Sequence, residues 1–203
     1  DVVLRFKRIA RQLPEIRMVG AESGGLAPPE LAGLEELLGT KPADKSKIRG
    51  IGVGGQMHGL VALDKDDRVI RPAILWNDGR TEKETEYLNN EIGKKKLSDY
   101  TGNIAFAGFT APKLLWMRQN EPEKFAAISK IMLPKDYLVY MLTGAFTTDV
   151  SDASGMLLLD VKNRKWSPKM LEICGIKLYD SREGFVLFPK TVFDHSFILE
   201  NVL

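Results

Sequence analysis

Gly50-Ile51-Gly52-Val53-Gly54-Gly55-Gln56-Met57-His58-Gly59 is a short apolar strand that runs into glycines and then presents Gln, Met and His together. The next apolar run, Leu60 to Leu63, begins at once. Glycine has no Cβ, so the backbone can turn sharply and another group can approach it closely. Gln56, Met57 and His58 on such a turn suit a small hydroxylated ligand better than a hydrophobic one. The spacing is not G-x-G-x-x-G opening a helix, nor G-x-x-x-x-G-K-[ST], so neither phosphate-binding fingerprint applies. A local reading competes: a Gly-rich turn whose His caps a backbone group.

Outward from this turn, Ile48, Ile51 and Val53 mark a strand. Leu60–Leu63 and Val69–Leu75 predict a hairpin around Asp64-Lys65-Asp66-Asp67, with Pro72 at an edge or bulge. Trp76-Asn77-Asp78-Gly79-Arg80 is a polar corner, and Thr81 with Glu84 forms a capping box for a helix that stops near Gly93. Lys94-Lys95-Lys96 is then expected to close that helix. Thr110 opens a helix that buries Leu114, Leu115 and Met117. A further helix from Glu121-Pro122-Glu123 carries Phe125 and Ile128. Pro134–Leu142 is a helix ended by Gly144, Met156–Leu159 a strand, and Ser167-Pro168 opens a helix ending at Gly175. Mixed strands and helices indicate an α/β fold. Residues 1–45 and the stretch after Ile176 show no convincing period.

The 203 residues carry 44% hydrophobic and 28% charged side chains, the proportions of a soluble globular protein. No apolar run approaches the ~18–20 residues that span a bilayer. Lys+Arg 29 against Asp+Glu 27 gives a net charge of +2, so composition offers no case for nucleic acid. The N-terminus has no methionine and no signal-peptide pattern, so the chain is expected not to start at a native start. Cys174 stands alone at a helical apolar spacing and reads as a core thiol in a reducing, cytoplasmic setting. No Cys/His/Asp grouping has metal spacing, and no Ser/His/Asp set is identifiable.

Several motifs occur in a fixed order. They are Gly55-Gln56-Met57-His58-Gly59-Leu60, Arg71-Pro72-Ala73-Ile74-Leu75-Trp76-Asn77-Asp78-Gly79-Arg80, and Gly108-Phe109-Thr110-Ala111-Pro112-Lys113-Leu114-Leu115-Trp116-Met117-Arg118-Gln119-Asn120. Leu133-Pro134-Lys135-Asp136-Tyr137-Leu138, Leu142-Thr143-Gly144 and Thr148–Gly155 follow. Together they resemble the N-terminal lobe of the FGGY carbohydrate kinases, and within them the xylulokinase branch. The resemblance divides the chain into a poorly matched segment, 1–45, a kinase-lobe region, 46–176, and a divergent tail, 177–203. It implies a partial ribonuclease H-like lobe of the actin/hexokinase type. It also implies ATP-dependent phosphorylation of a ketopentose such as xylulose. Met57-His58 differs from the Arg and Glu of the glycerol-kinase turn.

By that resemblance the substrate-binding residues are Gln56, Met57, His58, Asn77, Asp78, Arg80 and Phe109. His58 would bond a sugar hydroxyl, Met57 would pack on the carbon skeleton, and Phe109 would wall the pocket. For Asn77, Asp78 and Arg80 a local role stands beside the ligand role, with Asp78 accepting backbone bonds and Arg80 pairing with it. Trp76 and Trp116 are expected in the core, and Asp149 with Asp152 in an Asx turn. ATP and Mg²⁺ are implied by the family, but their motifs are not in this chain. Residues 1–45 have no Asp-x-Gly-Thr-type phosphate loop. Lys177–Leu203 has no Gly-Gly-Asp-Asn-type motif with the catalytic aspartate, and Asp194 lacks the flanking glycines. The catalytic residue is therefore unassigned and the chain reads as a fragment, expected not to transfer phosphate alone. Its expected partners are a small sugar and either a complementary kinase lobe or a second copy. The other reading is an inactive remnant that binds sugar or is merely structural.

Overall fold

The computed structural model describes residues 54–176 and the backbone of Val192–Phe193. The strand expected at Ile48–Val53 lies outside the described residues. Strand β1, Val61–Leu63, is buried along its whole length. It pairs antiparallel with β2, Lys130–Met132, with Val61 opposite Met132 and Leu63 opposite Lys130. On its other side, single bridges join Leu60 to Ile74 and Leu63 to Val69. The expected hairpin is therefore present, and its turn is built by Asp64. The Asp64 Oδ1 accepts the N–H of Asp66 at 2.8 Å and of Arg68 at 2.9 Å. The second arm is not a continuous strand. Leu60 to Leu63 is shorter by two residues than Val69 to Ile74 across from it, so that arm bulges at Arg71-Pro72, where Pro72 has no N–H to give.

Side chains of β1 alternate between two cores. Leu60 and Ala62 join Leu88, Leu97, Leu114, Leu115 and Ile131 in a large cluster. Val61 and Leu63 join Ala73, Leu75, Met132 and Tyr137 in a smaller one. Period-2 alternation thus serves two layers, as a strand buried on both faces must.

The first helical run corrects three expectations. A 3₁₀ turn, Gly79–Thr81, precedes helix α1, Glu82–Glu86, so Thr81 already lies inside the helical path and does not cap. Its hydroxyl donates instead to the Ala107 carbonyl at 2.9 Å, and Asp78 caps the 3₁₀ turn. The run does not stop at Gly93. It widens into a π-helical stretch, Tyr87–Gly93, and resumes as α2, Lys94–Thr101, which Gly102 ends in the left-handed region at φ 79°. Lys94-Lys95-Lys96 therefore opens α2 rather than closing its predecessor, with Lys95 paired one turn on to Asp99 at 2.7 Å.

Helix α3, Thr110–Asn120, buries Leu114, Leu115 and Met117 as expected, and also Ala111, Pro112 and Lys113. It is covered on nearly all sides. Helix α4, Pro122–Ala126, is short, and Ile128 is buried beyond its end. Helix α5, Pro134–Thr143, ends at Gly144 with φ 74°. Strand β3, Thr148–Asp149, runs parallel to β6, Val192–Phe193, and leads into α6, Val150–Ser154. Met156–Leu159 is buried but is mostly a turn, with Leu157 at φ 59°. Only Leu159–Asp160 forms a strand, β4, against β5, Lys165–Trp166. Burial in a turn, not a ladder, accounts for that apolar run. Helix α7, Pro168–Cys174, starts at the Ser167 cap and ends at Gly175, φ 73°. Cys174 is buried, and burial pushes its thiol up to about 12.

Candidate functional site

The Gln56–Gly59 turn lies on the N-terminal end of α5. The Gln56 carbonyl accepts the Lys135 N–H at 3.3 Å. A Cβ on Gly59 would sit 2.6 Å from Pro134 Cγ, so glycine is what allows the close approach. His58 takes φ 66°, left-handed for a residue with a side chain. Its Nδ1 lies 3.1 Å from the Gly155 carbonyl oxygen, and its ring packs on Phe109 with centroids 4.8 Å apart. A Cβ on Gly155 would lie 2.0 Å from His58 Cε1, so Gly155 makes the room for that ring. The Thr110 hydroxyl donates to the His58 carbonyl at 3.1 Å. Phe106 completes an aromatic row, 5.3 Å from Phe109.

A carbonyl can only accept, so Nδ1 of His58 carries the proton and Nε2 presents a lone pair. Burial lowers the imidazole pKa below its ordinary 6.5; the Gly155 bond opposes this and the Lys113 charge adds to it. A neutral ring follows, an acceptor at Nε2. Met57 is 43% exposed beside it, and among the described residues the buried Gln56 Oε1 has no hydrogen-bond partner.

Asp78 and Arg80 do the local work expected of them. The Asp78 Oδ1 accepts from Arg80 N at 3.1 Å and Nε at 2.8 Å, and Oδ2 accepts from Nη2 at 2.7 Å. The Arg80 bonds hold the Asp78 carboxyl below its usual range. The Arg80 guanidinium lies 4.7 Å over the Trp116 ring, which Arg71 approaches at 5.5 Å. Trp116 is half-buried beneath these two cations. Trp76 is not in the core: it is 57% exposed, because the corner turns its carbonyl inward and its ring outward. That carbonyl oxygen is 3.0 Å from where a Gly108 Cβ would stand. Asn77 is exposed on the same corner. The fold thus brings His58 and Phe109 into contact, with Gln56 and Met57 on the adjoining turn. Asn77, Asp78 and Arg80 join them through Trp76 and the Gly108 backbone.

Asp149 and Asp152 do not form the expected Asx turn: the Asp149 Oδ1 accepts the Asp152 N–H three residues on, at 2.9 Å, and so caps α6. Sequence reasoning missed their partner. Lys135 Nζ lies 2.7 Å from Asp136 Oδ1, 2.6 Å from Asp149 Oδ2 and 3.2 Å from Asp152 Oδ2. Burial alone would lower the Lys135 pKa, but the Asp136 and Asp149 carboxylates outweigh it and raise it. Lys113 was also missed. A lysine between the buried positions of α3 was the available signal.

The model of the FGGY family of carbohydrate kinases, N-terminal domain, matches residues 32–191. This chain belongs to the FGGY carbohydrate kinases. The FGGY match spans every site residue named above. The chain is 49% identical over 129 residues to the xylulose kinase of Escherichia coli K12, covering 64% of this chain and 26% of that protein. It is 47% identical over 148 residues to the xylulose kinase of Lactococcus lactis, covering 69% and 29%. Among solved structures, a xyloylose (xylulose) kinase from Brucella ovis superposes with TM-score 0.67 at 44% identity, covering 76% of this chain and 30% of that one. A gluconate kinase from Lactobacillus acidophilus gives 0.65 at 26% identity, covering 75% and 30%. The FGGY lobe here is the expected partial actin/hexokinase-type α/β lobe. The chain spans roughly a quarter to a third of the length of these FGGY relatives. Among the described residues no helix is long and apolar enough to cross a membrane.

Proposed function

We propose that this chain carries the sugar-positioning part of a cytoplasmic kinase that phosphorylates a ketopentose of the xylulose type. The observation that carries the proposal is His58. It sits on a turn that glycines alone permit, fixed at Nδ1 by Gly155 and at its face by Phe109, with Nε2 left as an acceptor for a sugar hydroxyl. Met57 supplies a polarizable face for the carbon chain. Gln56 adds an amide whose oxygen lacks a partner among the described residues. Phe109 walls the site. Asn77 is the exposed polar group of the neighbouring corner, which Asp78 and Arg80 shape. The names of the matched relatives support xylulose over gluconate, and an inert remnant finds no support among them.

Catalysis of phosphoryl transfer is mostly positioning and electrostatics, with ATP supplying the phosphoryl group and Mg²⁺ offsetting its charge. Among the described residues no group of His, Cys, Asp or Glu is arranged to hold the metal. The residues named above bind and orient the sugar. Calorimetry of the chain with D-xylulose, D-ribulose, D-gluconate and glycerol tests the reading. Xylulose is expected to bind most tightly. His58→Ala should weaken binding by about 0.5–1.5 kcal/mol, the worth of one hydrogen bond. A folded chain that takes up none of the four sugars would leave the remnant reading in its place.

A further inference from the structure

Lys113 is fully buried, at 0% exposure. Its Nζ donates to three successive carbonyls: Ala107 O at 3.2 Å, Gly108 O, and Phe109 O at 2.9 Å. An ammonium has three N–H donors, and three acceptors match them. Ala107 and Gly108 precede α3, so the helix supplies no donor for their carbonyls. Burial brings the Lys113 pKa down to about 7, the Asp78 charge acts the other way, and the three carbonyls favour the ammonium form. A buried cation is costly unless hydrogen-bonded, so the loop and the lysine require each other.

The loop that Lys113 gathers is where the parts of the sugar site meet. Ala107 O also accepts the Thr81 hydroxyl, at 2.9 Å. Gly108 packs on the Trp76 carbonyl, which ties in the Asn77–Arg80 corner. Phe109 lies on His58, and Thr110 bonds the His58 backbone. We propose that Lys113 is a positioning residue for the sugar site: by drawing the 107–109 carbonyls onto one ammonium it sets Phe109 against His58, without touching the sugar. This rests on the reading of His58 as a sugar contact.

Lys113→Met keeps length and apolar bulk while removing the donors. D-xylulose affinity of the folded variant is expected to fall about two- to tenfold and no further than His58→Ala lowers it, since the change acts through that one hydrogen bond. The loss should not add to that of His58→Ala: the double variant should bind no more weakly than His58→Ala alone. Fully additive losses, or unchanged affinity beside a lowered Tm, would overturn the proposal and leave Lys113 merely structural. Should Lys113→Met not fold, Lys113→Gln, which keeps two donors, should show a smaller loss with the same non-additivity, and unchanged affinity there would also overturn it. A second readout does not need the sugar. The Phe109 ring current should shift the His58 ring protons in the unsubstituted chain, and Lys113→Met or Lys113→Gln should reduce that shift. A wild-type chain that binds no xylulose, with that shift reduced in the variant, would sink the functional reading and keep the positioning role. An unchanged shift would sink the positioning role.

Discussion

Gly155 and His58 show how one missing side chain can fix a functional one. The His58 ring occupies the space of a Gly155 Cβ and cannot slide away, because Phe109 closes its face. Gly155→Ala should therefore expel the ring and reduce xylulose affinity about as much as His58→Ala does, one hydrogen bond or about 0.5–1.5 kcal/mol by calorimetry. Native affinity in Gly155→Ala would count against the assigned role. Gly59→Ala meets the rigid Pro134 ring and should lower stability by about 1–3 kcal/mol in urea titration. Protonation of His58 supplies a third test. Its folded pKa lies below the unfolded value, so the folded state binds fewer protons between the two. Stability should fall as pH drops below 6.5 towards the lowered pKa, and His58→Gln should remove that part of the acid sensitivity. The polar turn was legible in the sequence, because glycines beside Gln56, Met57 and His58 leave a local trace. Its anchor was not, since Gly155 lies 97 residues away and such a pairing has no local period.

At the level of elements, local chemistry was legible where a single residue decides an end. Gly144 ends α5 in the left-handed region, and Gly175 with the Ser167 cap bounds α7. It failed where tertiary partners compete for the same group. Thr81 carries every sign of a cap, but the Ala107 carbonyl takes its hydroxyl. Trp76 is apolar and aromatic, yet the Gly108 contact fixes its carbonyl inward and leaves its ring in solvent. The start of α5 is tied to α6 by Lys135, whose ammonium answers Asp136, Asp149 and Asp152 together. Lys135→Met would leave three partly or fully buried carboxylates facing one another. A loss of about 3–5 kcal/mol is expected on chemical denaturation, as when one partner of a buried ion pair is removed. A loss below ~1 kcal/mol would place the cluster among surface pairs instead.

Across the whole molecule, two hydrophobic clusters share one short strand. Leu114 belongs to the larger and Leu63 to the smaller, and both are fully buried. Leu114→Ala and Leu63→Ala should each cost about 2–5 kcal/mol. Both should move one common thermal transition, because neither cluster can lose its side of β1 without exposing the other. Two separate calorimetric transitions would show that the clusters melt independently. The same geometry has a kinetic consequence. No partial opening that spares one cluster can free the β1 backbone, so the Val61 amide, in the ladder with β2 opposite Met132, should exchange with solvent only through global unfolding. Its exchange rate would then measure the stability of the lobe, and β1 would be the last part of the lobe to let solvent in.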